Sequence, residues 1–430
     1  MTPVTHSFPH QNQAGSLFNR LVLAMCLCLL IVVGTHLLAI VFWQKGIANK
    51  IGIMFLIPII GIVLLYFRHL IRGAISSPEI AILVIIAAFS IAWSDFPSHS
   101  LQRAVPLVVT TGFGLMLGSM ASLRGLLIFM ATFFCIIMVL TLCAIIALPQ
   151  ARGIPPWGDT WNGIFLHKNG LGTAAMSALL TCSYASRQFS GRLKTVFVAA
   201  AVLGLFLLIA SESRTSQIVA LISMTALYFS RLMRNMEIIW AIGYLLFSVF
   251  IVGLVAFLLA STLAEPLFSL IGRKPTLSER IPIWELVWHH VMDRFWIGFG
   301  YAAHWYENAP HLSVYSSKAN LGFLPHYSHN GMLETFLNVG FVGISLLFLG
   351  LFRFFFSVFY GLRYIPDREP IVFVFIMGMV FIFSNITESS VMERMSATWI
   401  FFVAFTTKIN LVAKTLRVAA RANYAATHQV

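Results

Sequence analysis

The feature that most constrains this chain is the recurrence, from one end to the other, of apolar runs long enough to cross a lipid bilayer. A helix rising ~1.5 Å per residue needs roughly 17–25 apolar residues to cross about 30 Å of hydrocarbon. Runs of about this kind lie at approximately 21–43, 51–67, 79–94, 104–121, 125–148, 168–185, 194–211, 215–230, 237–262, 331–352, 370–387 and 395–412. The third, fourth and eighth are short, so a broken or re-entrant segment is expected among them. A chain of 430 residues that is 59% hydrophobic and 10% charged carries more apolar surface than one water-soluble core of this size can hide. The expected fold is an all-α polytopic membrane protein with about 12 transmembrane helices and one long loop carrying short amphipathic helices.

The runs divide the chain into an N-terminal membrane bundle over 1–262 of about nine helices, a polar loop over 263–330, C-terminal membrane helices over 331–412 and a tail over 413–430. Cys26, Cys28, Cys135, Cys143 and Cys182 all fall inside apolar runs, so they read as small core residues and supply neither loop disulfides nor a zinc knuckle. His6, His10 and Arg20 precede the first run without a convincing cleavage site, which favours a retained first helix.

The net charge of +13 does not gather in one patch or tail; the basic residues punctuate alternate loops. With a cytoplasmic N-terminus, the inner loops hold Arg20; Arg68 and Arg72; Arg124; Arg187, Arg192 and Lys194; Arg231 and Arg234; Arg353, Arg363 and Arg368; and Lys408, Lys414, Arg417 and Arg421. That is the bias expected of short cytoplasmic loops. Most acids, among them Asp95, Glu212, Glu279, Glu388 and Glu393, then lie outside. Both termini are expected to be cytoplasmic and the loop over 263–330 external. Basic loops beside anionic membrane lipid account for the high pI, so no nucleic-acid partner is implied.

Outside the membrane, polar material sufficient for a site is confined to 149–169, the turn around 211–216 and the long loop. A loop of that length is uncommon unless it folds on itself or carries function. It contains an amphipathic stretch from Ile281 through Trp284 to His290, with Pro282 where a first helical turn tolerates proline. It ends in His326-Tyr-Ser-His329-Asn330, running directly into the tenth apolar run. His329 thus sits at the membrane surface beside a helix start, where the helix dipole disfavours a second positive charge and neutral imidazole can serve as a general base. The plainer reading is a cap or an interfacial anchor.

Arg214, in Ser211-Glu-Ser-Arg-Thr-Ser216, is a second candidate, because ionisable groups at membrane depth are costly. Its plainer reading is an ion pair with Glu212 or a snorkelling anchor. Arg280 opens the amphipathic stretch, with Glu279 and Glu285 as alternative partners. Two guanidinium groups converging on one histidine would make a pyrophosphate site. Lys168, at the start of the sixth run, offers another cation or a headgroup anchor. Gly298-Phe-Gly300 reads only as a turn. No Asp-x-Asp pair or His/Asp/Glu cluster of metal-ligand spacing stands in the external segments, so no metal is expected, and phosphate-binding and dinucleotide fingerprints are missing.

Taken together these residues resemble a known family. His329-Asn330, nine residues and then Gly340-Phe-Val-Gly343 reproduce the His-Asn-x9-Gly-x-x-Gly signature of the O-antigen ligase and exopolysaccharide polymerase family. Trp93-Ser-Asp95, His167-Lys-Asn-Gly-Leu-Gly172, Ser211-Glu-Ser-Arg-Thr215 and Arg280-Ile-Pro-Ile-Trp-Glu285 followed by Gly298-Phe-Gly300 look like its other landmarks, in the family's order. The resemblance implies an inverting, metal-independent membrane glycosyltransferase of the bacterial inner membrane, needing no cofactor. Its substrates would be an undecaprenyl-pyrophosphate-linked glycan and a glycan or lipid A-core acceptor, with a chain-length regulator and a flippase as further partners. It assigns catalytic roles to Arg214, Arg280 and His329, and Lys168, Trp284, His326 and Asn330 are expected to help bind substrate. The His-Lys-Asn-Gly-Leu-Gly stretch looks more like the polymerase branch; a ligase is the alternative. A transporter or flippase is a third reading, but no related halves with midplane ionisable groups are visible.

Overall fold

The computed structural model describes residues 13–35, 37–42, 51–153, 160–233, 280–307 and 326–427, with a few isolated positions besides. Among these the regular structure is entirely helical. The helices are α1 (Gln13–Val33), α2 (Leu37–Phe42), α3 (Leu56–Leu65), α4 (Phe67–Ser76), α5 (Pro78–Phe89), α6 (Pro97–Met120) and α7 (Leu123–Ala147). They continue as α8 (Lys168–Ser186), α9 (Gly191–Ala210), α10 (Arg214–Met233), α11 (Ile281–Asp293), α12 (Gly331–Tyr364), α13 (Glu369–Thr387) and α14 (Ala397–Thr427).

Six described helices are long and apolar enough to span a bilayer: α6, α7, α9, α12, α13 and the Ala397–Ala422 part of α14. A seventh span arises if Ile51–Leu65 and α4 count as one, although they are bent by 82°. A bend therefore falls at Tyr66, at the end of the second apolar run, while the third run forms only the short apolar helix Pro78–Ala92. The physical reason for the bend lies in α4, where Arg68, His69 and Arg72 make a polar face beside exposed Phe67, Ile71 and Ile75, so the segment cannot continue as a uniformly apolar rod. The run expected at 237–262 lies, but for isolated positions, outside the described residues, as does about half of the long loop.

Helix α8 owes its place to small side chains. A Cβ on Gly204 of α9 would stand 3.1 Å from the Ala175 carbonyl oxygen and 3.2 Å from the Ala178 methyl, so α8 and α9 pack backbone to backbone. Helices α12 and α5 are joined by an ion pair: buried Glu79 accepts from Arg353 Nη1, and Arg353 Nη2 donates to the Ser76 carbonyl at 3.1 Å.

The turns sort onto two ends of the bundle. Arg124 Nη2 donates to Gln188 at 2.5 Å, and Arg187 Nη1 donates to the Leu227 carbonyl at 3.2 Å, gathering basic turns at one end. At the other end the starts of α8 and α12 meet the C-terminus of α13, as Asn169 Nδ2 donates to Glu388 and Asn330 Nδ2 to the Ile386 carbonyl. Helix α11 lies at this second end, burying Ile283, Val287 and Val291 against Trp305 and Leu337.

Candidate functional site

The site is built on a break in α12. Gly340 has φ 67° and ψ −163°, which splits the helix and frees its backbone groups on either side. The segment after α11 satisfies them. Phe299 and Gly300 N–H donate to the Leu337 and Asn338 carbonyls at 2.8 and 3.1 Å, while Phe341 and Val342 N–H donate to the Phe295 and Trp296 carbonyls at 2.7 and 3.3 Å. Such close backbone approach excludes a side chain: a Cβ on Gly298 would lie 2.5 Å from the Leu337 oxygen. The Gly298-Phe-Gly300 pair, which read from sequence as a turn, is therefore a clip across a broken helix.

The Trp93-Ser-Asp95 landmark holds the clip from the other side. Trp93 Nε1 donates to the Ile297 carbonyl at 3.1 Å, Arg294 Nη2 pairs with Asp95 at 2.6 Å, and a Cβ on Gly300 would stand 2.7 Å from that of Ser94. Three motifs far apart in the chain thus form one mechanical unit, which fixes α11 and the start of α12 relative to each other.

The segment leading into α12 is pinned residue by residue. Asn330 is the N-cap, its Oδ1 accepting from Met332 and Leu333 N–H at 3.0 and 3.1 Å, and its Nδ2 tethers the cap to the C-terminal turn of α13. Trp284 Nε1 donates to the Ser328 carbonyl at 2.9 Å, and Ser328 N–H donates to Glu334 Oε2 at 2.9 Å. Between these anchors His329 is held at φ 53°, a left-handed conformation that costs a non-glycine residue energy and that functional sites often retain. The Tyr327 ring lies against its imidazole, with centroids 4.1 Å apart.

Opposite stands Glu388, the residue after α13. Its Oε1 accepts from Arg280 Nη2 at 2.9 Å and from Asn169 Nδ2 at 2.7 Å, and its Oε2 lies 3.9 Å from His329 Nδ1, just beyond hydrogen-bond length. Arg280 Nη1 also donates to the Thr387 carbonyl at 2.5 Å. Burial alone would raise the Glu388 pKa, but pairing with His329 and the Arg280 charge outweigh it and hold the carboxyl below its ordinary value. His167 caps α8 by accepting the Asn169 N–H on Nδ1 at 3.2 Å. Burial lowers its pKa, with Glu388 opposing. A carboxylate, a guanidinium and an imidazole, each about one-fifth exposed or less, thus lie together at this end of the bundle. Such a group can bind phosphoryl oxygens and move a proton.

The structure brings together Arg280, His329, Asn330 and Trp284 of the residues expected from sequence. It does not join Arg214 to them directly. Arg214 is the first residue of α10, exposed, and among the described residues it makes no hydrogen bond or ion pair, with Glu212 or otherwise. It is nonetheless at the same end of the bundle, because a Cβ on Gly172, in the first turns of α8, would stand 2.4 Å from the Cβ of neighbouring Ser213. Lys168 opens α8 beside His167, and His326 is exposed. The amide of Asn330 and the indole N–H of Trp284 are committed to the protein itself.

Sequence reasoning missed Glu388, Asn169 and His167 as parts of this cluster. A polar interruption, Asn385-Ile-Thr-Glu388-Ser-Ser, between two apolar runs was the available signal. Asn385 shapes that turn: its Oδ1 accepts from Ser390 and Val391 N–H at 2.8 and 3.0 Å, and would touch a Cβ on Gly331 at 2.3 Å.

No curated protein matches the chain. Residues 199–348, from α9 into α12, match the family model described as O-antigen ligase. This segment holds Arg214, Arg280, His329 and the glycines of the helix break, so the matched region and the sequence landmarks agree, and over this segment the chain is similar to the O-antigen ligase family.

Proposed function

We propose that this protein polymerises lipid-linked oligosaccharide repeats at the periplasmic face of the bacterial inner membrane, as an inverting, metal-independent glycosyltransferase with about twelve membrane helices. The observation that carries the reading is Glu388 holding Arg280 beside His329, at the end of the bundle opposite the basic turns. Basic turns favour the cytoplasm, so the cluster then faces the periplasm with both termini inside. That compartment lacks nucleotide sugars, and the activated bond arrives with its undecaprenyl carrier.

In the proposed step the acceptor hydroxyl attacks the anomeric carbon in line. The carbon–oxygen bond to the pyrophosphate breaks as the bond to the acceptor oxygen forms, the hydroxyl proton passes to His329 Nε2, and undecaprenyl pyrophosphate departs. Glu388, facing His329 Nδ1, orients the ring so that Nε2 is turned to the acceptor, the part a carboxylate plays beside many catalytic histidines. Arg280 and Arg214 stabilise the charge growing on the leaving group. Lys168 and His326 would line the path of the pyrophosphate and glycan.

Deleting the protein tests polymerase against ligase. Loss of all surface chains longer than one repeat supports a polymerase, and accumulation of long lipid-linked chains assigns a ligase acting on lipid A-core. In vesicles, elongation of lipid-linked repeats without an ion gradient supports a transferase, whereas gradient-driven flux with no new glycosidic bond would assign a transporter. His329→Ala is expected to lower turnover by about 10²–10⁴. Equal product from a folded His329→Ala variant would sink the mechanism.

A further inference from the structure

A second group of charged residues at the same end of the bundle takes no part in the cluster around Glu388. Arg103 is on α6 and Arg394 is in the turn between α13 and α14, each half-buried and within electrostatic reach of the other. Tyr301 lies within reach of both guanidinium groups and is fixed by its N–H to Ser90 Oγ at 2.8 Å and its hydroxyl to the Met392 carbonyl at 2.6 Å. Ala104, Tyr301, Met392 and Trp399 belong to one buried cluster, so α6, the clip segment and the turn before α14 converge here by packing. His99, on the same face of the first turns of α6, stacks near the Tyr306 ring with centroids 4.5 Å apart.

Two guanidinium groups so placed repel. Glu307 is within electrostatic reach of Arg103 and Glu393 of Arg394, yet among the described residues neither arginine has an ion-pair partner. A partly desolvated cation whose neighbouring carboxylates make no direct ion pair with it is costly, and an anion bound between the two guanidinium groups relieves it. Paired planar forks match the oxygens of a pyrophosphate. The turn that carries Arg394 also carries Glu388, and from Glu388 to Arg394 it spans at most about 20 Å even when fully extended. Both groups therefore lie at the same end of the bundle, with the Cα atoms of Glu388 and Arg394 no farther apart than that.

We infer that Arg103 and Arg394 form a second anion site, which holds the pyrophosphate of the acceptor while Arg280 and His329 act on the donor. This rests on the polymerase reading, in which both reactants are lipid-linked and each brings a pyrophosphate.

The test is calorimetric titration of the purified full chain in detergent with inorganic pyrophosphate, followed by elongation assays on lipid-linked repeat. Two binding events are expected, one removed by Arg280→Gln and the other by Arg103→Gln or Arg394→Gln. Arg394→Lys, which keeps the charge and the fold but loses the fork, is expected to weaken the second event about tenfold or more and to raise KM for lipid-linked acceptor similarly. A single event that survives Arg103→Gln and Arg394→Gln overturns the inference and leaves the Arg280 site standing. Two events of which Arg280→Gln removes neither overturn the Arg280 site instead. Loss of the second event in Arg394→Lys with an unchanged acceptor KM also overturns the inference, because the anion bound there is then not the acceptor's.

Discussion

The backbone of Trp296 occupies the place where Gly340 would carry a side chain: a Cβ there would stand 2.3 Å from the Trp296 carbonyl carbon. One glycine therefore decides whether the clip over 295–300 can close on the broken helix, and through the clip it sets where α11 brings Arg280. The physical demand is double, since Gly340 also needs a φ of 67°.

Gly340→Ala is accordingly expected to cost more than the about 1–3 kcal/mol of backbone strain alone, because the clip must also retreat. Product formation should fall at least as steeply as thermal stability in detergent. Gly191→Ala is the control, for Gly191 has a similar φ of 59° but nothing within contact distance of a Cβ; it should lose stability through strain and keep transfer activity. Equal transfer from a folded Gly340→Ala protein would show that the clip does not set the site.

Glu388→Gln keeps the shape of the side chain and removes its charge. It should leave Arg280 partly desolvated and uncompensated and remove the acceptor that orients His329, lowering kcat by about tenfold or more with a smaller effect on KM. Glu388→Asp should recover part of the loss. A change confined to KM would assign Glu388 to substrate binding and not to positioning.

Asn330→Ala removes the cap of α12 and its tether to Ile386, which should cost about 1 kcal/mol for the cap. Asn330→Asp restores a capping oxygen but places a second negative charge in the cluster around Glu388. Stability should return in the aspartate variant while activity does not. If both recover together, the amide acts only as a cap.

His167 contributes one part of the pH dependence of stability, beside His99, lowered likewise, and Glu393, which burial pushes up to about 7 and which acts in the opposite direction. The His167 pKa is lowered in the folded protein, so below the ordinary value of 6.5 the unfolded chain binds a proton that the folded chain refuses. The part of the stability that His167 contributes should therefore decline as pH falls from about 7 through 6.5 toward the lowered folded value. Glu388 contributes nothing in that window, because its folded pKa is depressed and its stabilisation is lost only as pH falls below 4.5 toward that value. His167→Asn, which retains a capping side chain, should gain on the wild type in denaturation midpoint as pH falls from 7.5 to 5.5. An unchanged slope would remove His167 as a source of the pH dependence.

For Arg214, lysine should be a poor substitute if two parallel hydrogen bonds to a pyrophosphate are made. Because Arg214 is exposed and makes no hydrogen bond or ion pair among the described residues, its replacement should change turnover without changing the melting temperature. Wild-type turnover in Arg214→Lys would reduce its part to a point charge.

The helical, membrane-embedded character of the chain and its similarity to the O-antigen ligase family were legible in the residues alone. Apolar run length and the types of residue in a motif are local properties, readable without knowing what packs where. The sequence also marked Arg280 and His329, because each adjoins a helix start visible as a polar-to-apolar boundary. It took the folded arrangement to show that the glycine motifs are a backbone clip, that a bend falls at Tyr66, and that Glu388 and Asn169 complete the cluster while Arg214 forms no bond to it. Those outcomes depend on contacts between segments up to more than two hundred residues apart, such as Asn169 with Glu388 and Trp93 with Ile297. No periodicity in a single chain encodes such pairings; they are fixed by which helix faces can approach closely and which freed backbone groups must find a partner.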